Sequence, residues 1–223
     1  SYALVSVKGS GVSLFEGSTT AGTGAVTLSN VFVQCPGTVP VMSPTAVPMP
    51  MPTNVPTGAC ASDLSLSGMS AGFEDGNIAS LSVSYGGVDS SYDDSWMGRG
   101  YNIVVFAADA LTYVNSATFD IFTGGPTEST AMLSFLLGLP NGVVVAILST
   151  DAVEHWALTY TGADLKIYMS AVFGASDFAS GSFRDSYALV SVKGSGASLF
   201  ESTTATAGTG AVILTNVLVQ CSG

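Results

Sequence analysis

From residue 61 onward, apolar and polar positions alternate in short stretches bounded by turn residues. Leu64 and Leu66 alternate with serines, with Met69 a further candidate one position out of phase, and IASLSVSY at residues 78–85 alternates again after the Glu74-Asp75-Gly76-Asn77 turn signal. A period of two with such punctuation predicts half-buried strands. YNIVVFA at 101–107 is a short apolar run that also reads as a strand, and 112–122 is another, ending in FDIF. The spacing then changes to a helical one. Leu133, Leu136 and Leu137 predict a helix over 128–137, capped by Thr127 and stopped by Gly138 and Pro140. Asn141-Gly142 turns the chain into VVVAIL at 143–148, a buried strand. Asp151 followed three residues later by Glu154 predicts a capped short helix through residue 160. Leu165, Tyr168, Met169, Val172 and Phe173 recur at i, i+3, i+4, i+7 and i+8, which predicts a helix over 163–173. The final part returns to strands, most clearly at 187–192 and 211–219. The fold class is therefore α+β, with short helices among antiparallel strands.

A repeat cuts across this pattern. SYALVSVKGSGVSLFE at 1–16 recurs as SYALVSVKGSGASLFE at 186–201, and AGTGAVTLSNVFVQC at 21–35 recurs as AGTGAVILTNVLVQC at 207–221. Self-similarity at a long fixed spacing is the signature of module arrays. It predicts that residues 1–35 are the C-terminal end of a preceding repeat, 36–59 a linker and 60–223 a module. The alternative is that one compact domain uses the segment twice, as paired edge strands. The chain opens inside an apolar run with neither an initiator Met nor a signal-peptide pattern, as expected of a piece of a longer parent.

Seven of the nine prolines lie in the linker, at positions 36, 40, 44, 48, 50, 52 and 56. Proline fixes φ and removes a donor, so the stretch should be extended polyproline II, spanning up to roughly 75 Å at about 3.1 Å per residue. Thr38, Pro40, Ser43, Pro44, Thr45, Thr53 and Thr57 are candidate O-glycosylation positions, the prolines after hydroxylation. No N-x-[ST] sequon occurs.

Charged residues are 9% of the chain, against about 25% in ordinary domains. A surface so poor in charge is commonly covered by glycans or neighbouring chains. No uninterrupted apolar run of about 18 residues exists to span a bilayer, which argues against membrane insertion. The net charge of -11, with five Lys and Arg, excludes the clustered cations that nucleic-acid binding needs.

Candidate chemistry is sparse. His155 is the one histidine, and no G-x-S-x-G elbow or Cys-His signature accompanies it, so no catalytic residue or cofactor is assigned. The three cysteines include no C-x-x-C pair, so a Cys-based metal site is not expected. Asp89, Asp93 and Asp94 cluster before Trp96, either as an exposed loop or as calcium ligands. Tyr92 and Trp96 are candidates for stacking on a sugar, with core packing the competing reading. Arg99 and Arg184 should pair with carboxylates such as Asp120 or Asp185. Cys35 and Cys221 occupy equivalent positions of successive repeats, so Cys60 can pair with Cys221 while Cys35 joins the preceding repeat. The alternative closes a Cys35 to Cys60 loop. Either requires an oxidising compartment.

Five strings in one order then carry a family likeness: SAGFEDGN (70–77), RGYNIVVF (99–106), FDIF (119–122), STAMLSFLLGLPNGVVVAILSTDAV (129–153) and FRDSYALVSVKGSG (183–196). The order resembles the ILEI/PANDER domain. The resemblance implies two antiparallel β-sheets flanked by short helices, a secreted location and no enzymatic activity, with carbohydrate binding in some members. Together with the repeat, the linker and the low charge, it leads to the expectation of a structural repeat unit. That unit would belong to a secreted, O-glycosylated extracellular fibre or surface filament whose partners are copies of itself. Two alternatives are a carbohydrate-binding module array of a cell-surface adhesin and a secreted signalling domain.

Overall fold

The computed structural model describes residues 2–6, 13–18, 63–93, 96–107, 112–156, 158–204 and 208–219. The chain divides into two compact units, Ser1–Met42 and Ser43–Gly223. In the first, strands β1 (Tyr2–Ser6) and β2 (Ser13–Ser18) form an antiparallel hairpin.

The second unit holds nine strands: β3 (Leu64–Gly72), β4 (Ala79–Tyr85), β5 (Val88–Tyr92), β6 (Gly100–Phe106), β7 (Tyr113–Phe119), β8 (Val144–Asp151), β9 (Tyr187–Val192), β10 (Ser198–Thr203) and β11 (Val212–Val219). Helices α1 (Ile121–Gly138) and α2 (Ala163–Phe173) complete it. All nine strands belong to one mixed sheet, so the α+β class holds, while the two separate antiparallel sheets of the expectation are joined. The path runs β10-β9-β8-β3-β4-β5, with β11 on β3, β6 on β8 and β7 on β6. The joint is the end of β3. Its residues 64–70 pair antiparallel with β4 and β11, and then Ala71 and Gly72 pair parallel with Thr150 and Asp151 of β8. Buried hydroxyls hold this joint. Ser70 Oγ donates to Tyr187 O (2.6 Å), and Tyr187 N donates to Ser149 Oγ (2.7 Å).

Two apolar cores explain the two kinds of strand pattern. Leu64, Leu66, Leu81 and Val83 of β3 and β4 face Val104, Phe106, Val144, Ala146, Leu148 and Val190 in one core. The alternate positions of β6, β8 and β9, including Ile103, Val105, Val145, Ile147 and Leu189, face α1 and α2 in the other. Central strands covered on both faces read as continuous apolar runs, whereas β3 and β4, covered on one, alternate. Among the described residues no helix is long and apolar enough to cross a membrane.

Two helix expectations are corrected. The helix expected from residue 128 begins at Ile121, because the Asp120 carboxylate accepts Thr123 N (3.1 Å) and caps an earlier turn. Gly125, at φ 61 and ψ −143, then breaks it, and Pro126 opens the second segment, where its missing N–H is harmless. The helix expected over 151–160 does not form. Glu154 is buried, and its carboxylate accepts the amides of Tyr160 (2.7 Å) and Thr161 (2.8 Å) instead of capping its own turn. The linker 36–59 lies outside the described residues, and so do all its candidate glycosylation positions, from Thr38 to Thr57.

Candidate functional site

The register gathers four chain segments at one end of the sheet. Gly72 pairs with Asp151, and Gly100 pairs with Thr150, so the end of β3, the end of β8 and the start of β6 meet. Arg184 lies just before β9. Asn77, Asp151 and Arg184 all have left-handed φ values of 55, 60 and 64°. Such values are uncommon for non-glycine residues, and they occur here where chain direction changes at the sheet end.

Between these segments lies a polar cavity of about 230 Å³ lined by Asn77, Met97, Arg99, Thr150 and Asp151. Arg99 is held for it. Its Nε and Nη2 donate to Asp120 Oδ2 at 3.0 and 2.7 Å, and Nη2 also donates to Thr123 Oγ1. The hydrogen bond from Arg99 to Asp120 raises the guanidinium pKa further, so Arg99 stays charged. The buried Asn102 side chain fixes the preceding loop, accepting from Gly98 N (2.9 Å) and donating to Gly98 O (2.8 Å).

A strip of alternating rings and cations adjoins Arg99. The Arg184 guanidinium sits over the rings of Phe73 (4.1 Å) and Phe183 (4.6 Å). Phe183 stacks on Phe122 at 5.9 Å, and Arg99 lies over Phe122 at 5.1 Å. Phe122 stacks on His155 at 5.7 Å, and His155 meets Tyr160 and Trp156. Phe73 and Trp156 are 48% and 72% exposed, so the strip presents apolar faces to solvent. Arg184 pairs with Glu74 rather than with Asp120 or Asp185 as expected. Asp185 is instead buried, accepting Ser182 N (2.8 Å), and burial raises its pKa despite that bond.

This donor set suits an uncharged, hydroxyl-rich molecule. The guanidinium, carboxylate and amide groups offer hydrogen bonds, and the neighbouring rings offer apolar faces. Among the described residues no group of three or more His, Cys, Asp and Glu is placed to hold a metal.

Tyr92, a sugar-stacking candidate in the sequence, is corrected to a core position. The residue is 4% exposed, its ring edge-on to Trp96 (5.3 Å) and stacked on Tyr113 (6.0 Å), so neither face is open to a sugar. Burial pushes its phenol up to about 12. Trp96 is half-buried against the same core. Asp89 pairs with Ser84 across β4 and β5, and Asp94 lies outside the described residues. Cys35, Cys60 and Cys221 also lie outside them. Sequence reasoning anticipated Arg99 with Asp120 and passed over Asn77, Asp151, Phe122, Phe183 and Trp156. The signal available was the clustering of the family-like strings around these positions.

In comparisons with known proteins, residues 99–195 match the family model described as interleukin-like EMT inducer, ILEI. The matched stretch runs from Arg99 through β9 and includes both helices. No curated protein matches the chain.

Proposed function

We propose that this chain is a structural repeat unit of a secreted extracellular fibre or surface filament, built from ILEI-like modules and without catalytic activity. One observation carries the reading. The β1–β2 hairpin pairs Tyr2 with Ser18, Leu4 with Glu16 and Val5 with Phe15, and then shifts register before Ser6 and Ser13. The β9–β10 hairpin pairs Tyr187 with Thr203, Leu189 with Glu201 and Val190 with Phe200, and shifts before Ser191 and Ser198. Each pair of the second set lies 185 residues beyond its counterpart in the first. In the module that hairpin is the edge of a nine-stranded sheet, with β9 paired to β8. The β1–β2 copy therefore has the form of a module's end, as expected of one repeat following another. The Pro-rich linker, O-glycosylated in this reading, and the low charge agree with a chain shielded by glycans and neighbours. Intact mass and peptide mapping of the native protein test it. A parent carrying several copies of the 186–201 segment is expected, and a parent with no copy beyond the two in this chain would contradict the reading.

A second reading, a carbohydrate-binding module of a cell-surface adhesin, is favoured by the cavity beside the aromatic strip. A glycan array should then give binding that Arg99→Ala reduces by about tenfold or more, the scale of a lost charge-assisted hydrogen bond. An array with no binding would remove this reading.

A further inference from the structure

The hairpin β9–β10 is attached to its module by the β8–β9 ladder, by the buried apolar side chains of β9 and by a small set of polar contacts. Ser191 Oγ donates to Phe173 O at the end of α2 (2.8 Å). Lys193 Nζ donates to Leu136 O (2.8 Å) and Leu137 O (3.1 Å), capping the C-terminus of α1. The Glu201 carboxylate accepts the amides of Ser176 (2.8 Å), Asp177 (3.0 Å) and Phe178 (3.1 Å), and also the Tyr187 hydroxyl (2.9 Å). Leu189 is fully buried opposite Ile147 of β8. The residues of 1–18 at the equivalent positions are Ser6, Lys8, Glu16, Tyr2 and Leu4, so each docking residue type is duplicated. Within 186–203 the two copies differ at three positions only: Val12 for Ala197, Gly17 for Ser202 and Ser18 for Thr203. Ala197 is exposed at the hairpin turn, and Ser202 and Thr203 are half-buried on the edge strand, so none of the three is fully buried.

A β8 edge that recognises β9–β10 by these groups has no means of telling it from a β1–β2 hairpin. We propose that the β1–β2 hairpin of one copy takes the place of β9–β10 against β8 of another, so that copies associate by exchanging equivalent hairpins. The partner is a second copy of this chain, and the surface is the β8 edge together with the C-terminal ends of α1 and α2. Exchange of identical elements is a low-cost route to association, because every interaction broken within one copy is remade in the next. Each copy carries two such hairpins and one β8 edge, so a heterologous exchange leaves one hairpin over in every copy and can continue as an open chain. The inference rests on the repeat reading for its place in a fibre.

The test is a mutant cycle on the full chain, read by near-ultraviolet circular dichroism and by light scattering on a sizing column. Leu189→Asp disables the resident hairpin, since a buried unpaired carboxylate is costly. Leu4→Asp disables the other copy. Leu4→Asp alone should leave the module folded. Leu189→Asp alone should retain a native spectrum but elute as a dimer or larger, held by hairpins from other copies. The double variant should lose the native spectrum, its folded fraction falling by about tenfold or more. The proposal is overturned if Leu189→Asp is as unfolded as the double variant, if it folds as a monomer, or if the double variant folds as well as it does. Such a failure would leave the repeat reading in place, since that rests on the copy number of the parent.

Discussion

At the scale of single residues, the module is characterised by polar groups placed in apolar surroundings. Tyr101 and Tyr187 are fully buried around Phe178, and burial raises both phenols well above the ordinary range, with nearby carboxylates adding to it. Tyr92, pushed up to about 12, adds a third. A folded pKa above the unfolded value of about 10 means the folded state holds the proton more tightly. The stability this gives is complete below pH ~10 and is lost as pH rises through the folded values. The denaturation midpoint should therefore fall between about pH 9 and about pH 11.5, and ultraviolet absorbance should show these tyrosines ionising only as the chain unfolds. An unchanged midpoint would contradict the assignment. Lys193 makes the opposite kind of contribution. Its ammonium donates to the carbonyls of Leu136 and Leu137 at the end of α1, where a positive charge also complements the helix dipole. Replacing it with Met should cost about 2 kcal/mol, measured by urea denaturation, because the charge-assisted hydrogen bonds to these carbonyls are lost.

At the scale of elements, the joint between the two parts of the sheet is the most demanding feature. Gly72 sits where β3 leaves β4 and meets β8, and a Cβ there would lie 1.8 Å from the Arg184 carbonyl oxygen. Because that atom is backbone, Gly72→Ala should cost about 3 kcal/mol and shift the urea midpoint accordingly. A neutral substitution would mean the joint is looser than described. The elements themselves were largely legible. The bounds of α2 and β9 match the sequence pattern, since each carries a strong period and clear stops. What was not legible depended on distant partners. The first turn of α1 exists because Asp120 caps it while also holding Arg99. Residues 151–160 stay non-helical because Glu154 is drawn into the interior to accept two amides. The site followed the same rule. Arg99 and Asp120 flank a hairpin of the fold and were readable together, whereas Arg184 finds Glu74, 110 residues away, only once the sheet has formed. Tyr92 was ambiguous in the sequence because an aromatic at a strand end fits a platform and a core equally well. The rings of Trp96 and Tyr113 decide for the core.

At the scale of the whole molecule, a long repeat meets a sheet with a replaceable edge. The same hairpin, in the same register and with the same irregularity, occurs 185 residues apart. Chance similarity in sequence would not preserve a register shift at matching residues, whereas duplication of a structural unit would. A fibre of such units places successive modules at a constant separation, and low surface charge lets neighbours lie close without strong repulsion. Electron microscopy of the native material tests this most directly. Filaments with one regular axial spacing are predicted, each period holding a compact module of this fold, and a field of dispersed single globules would contradict the fibre reading.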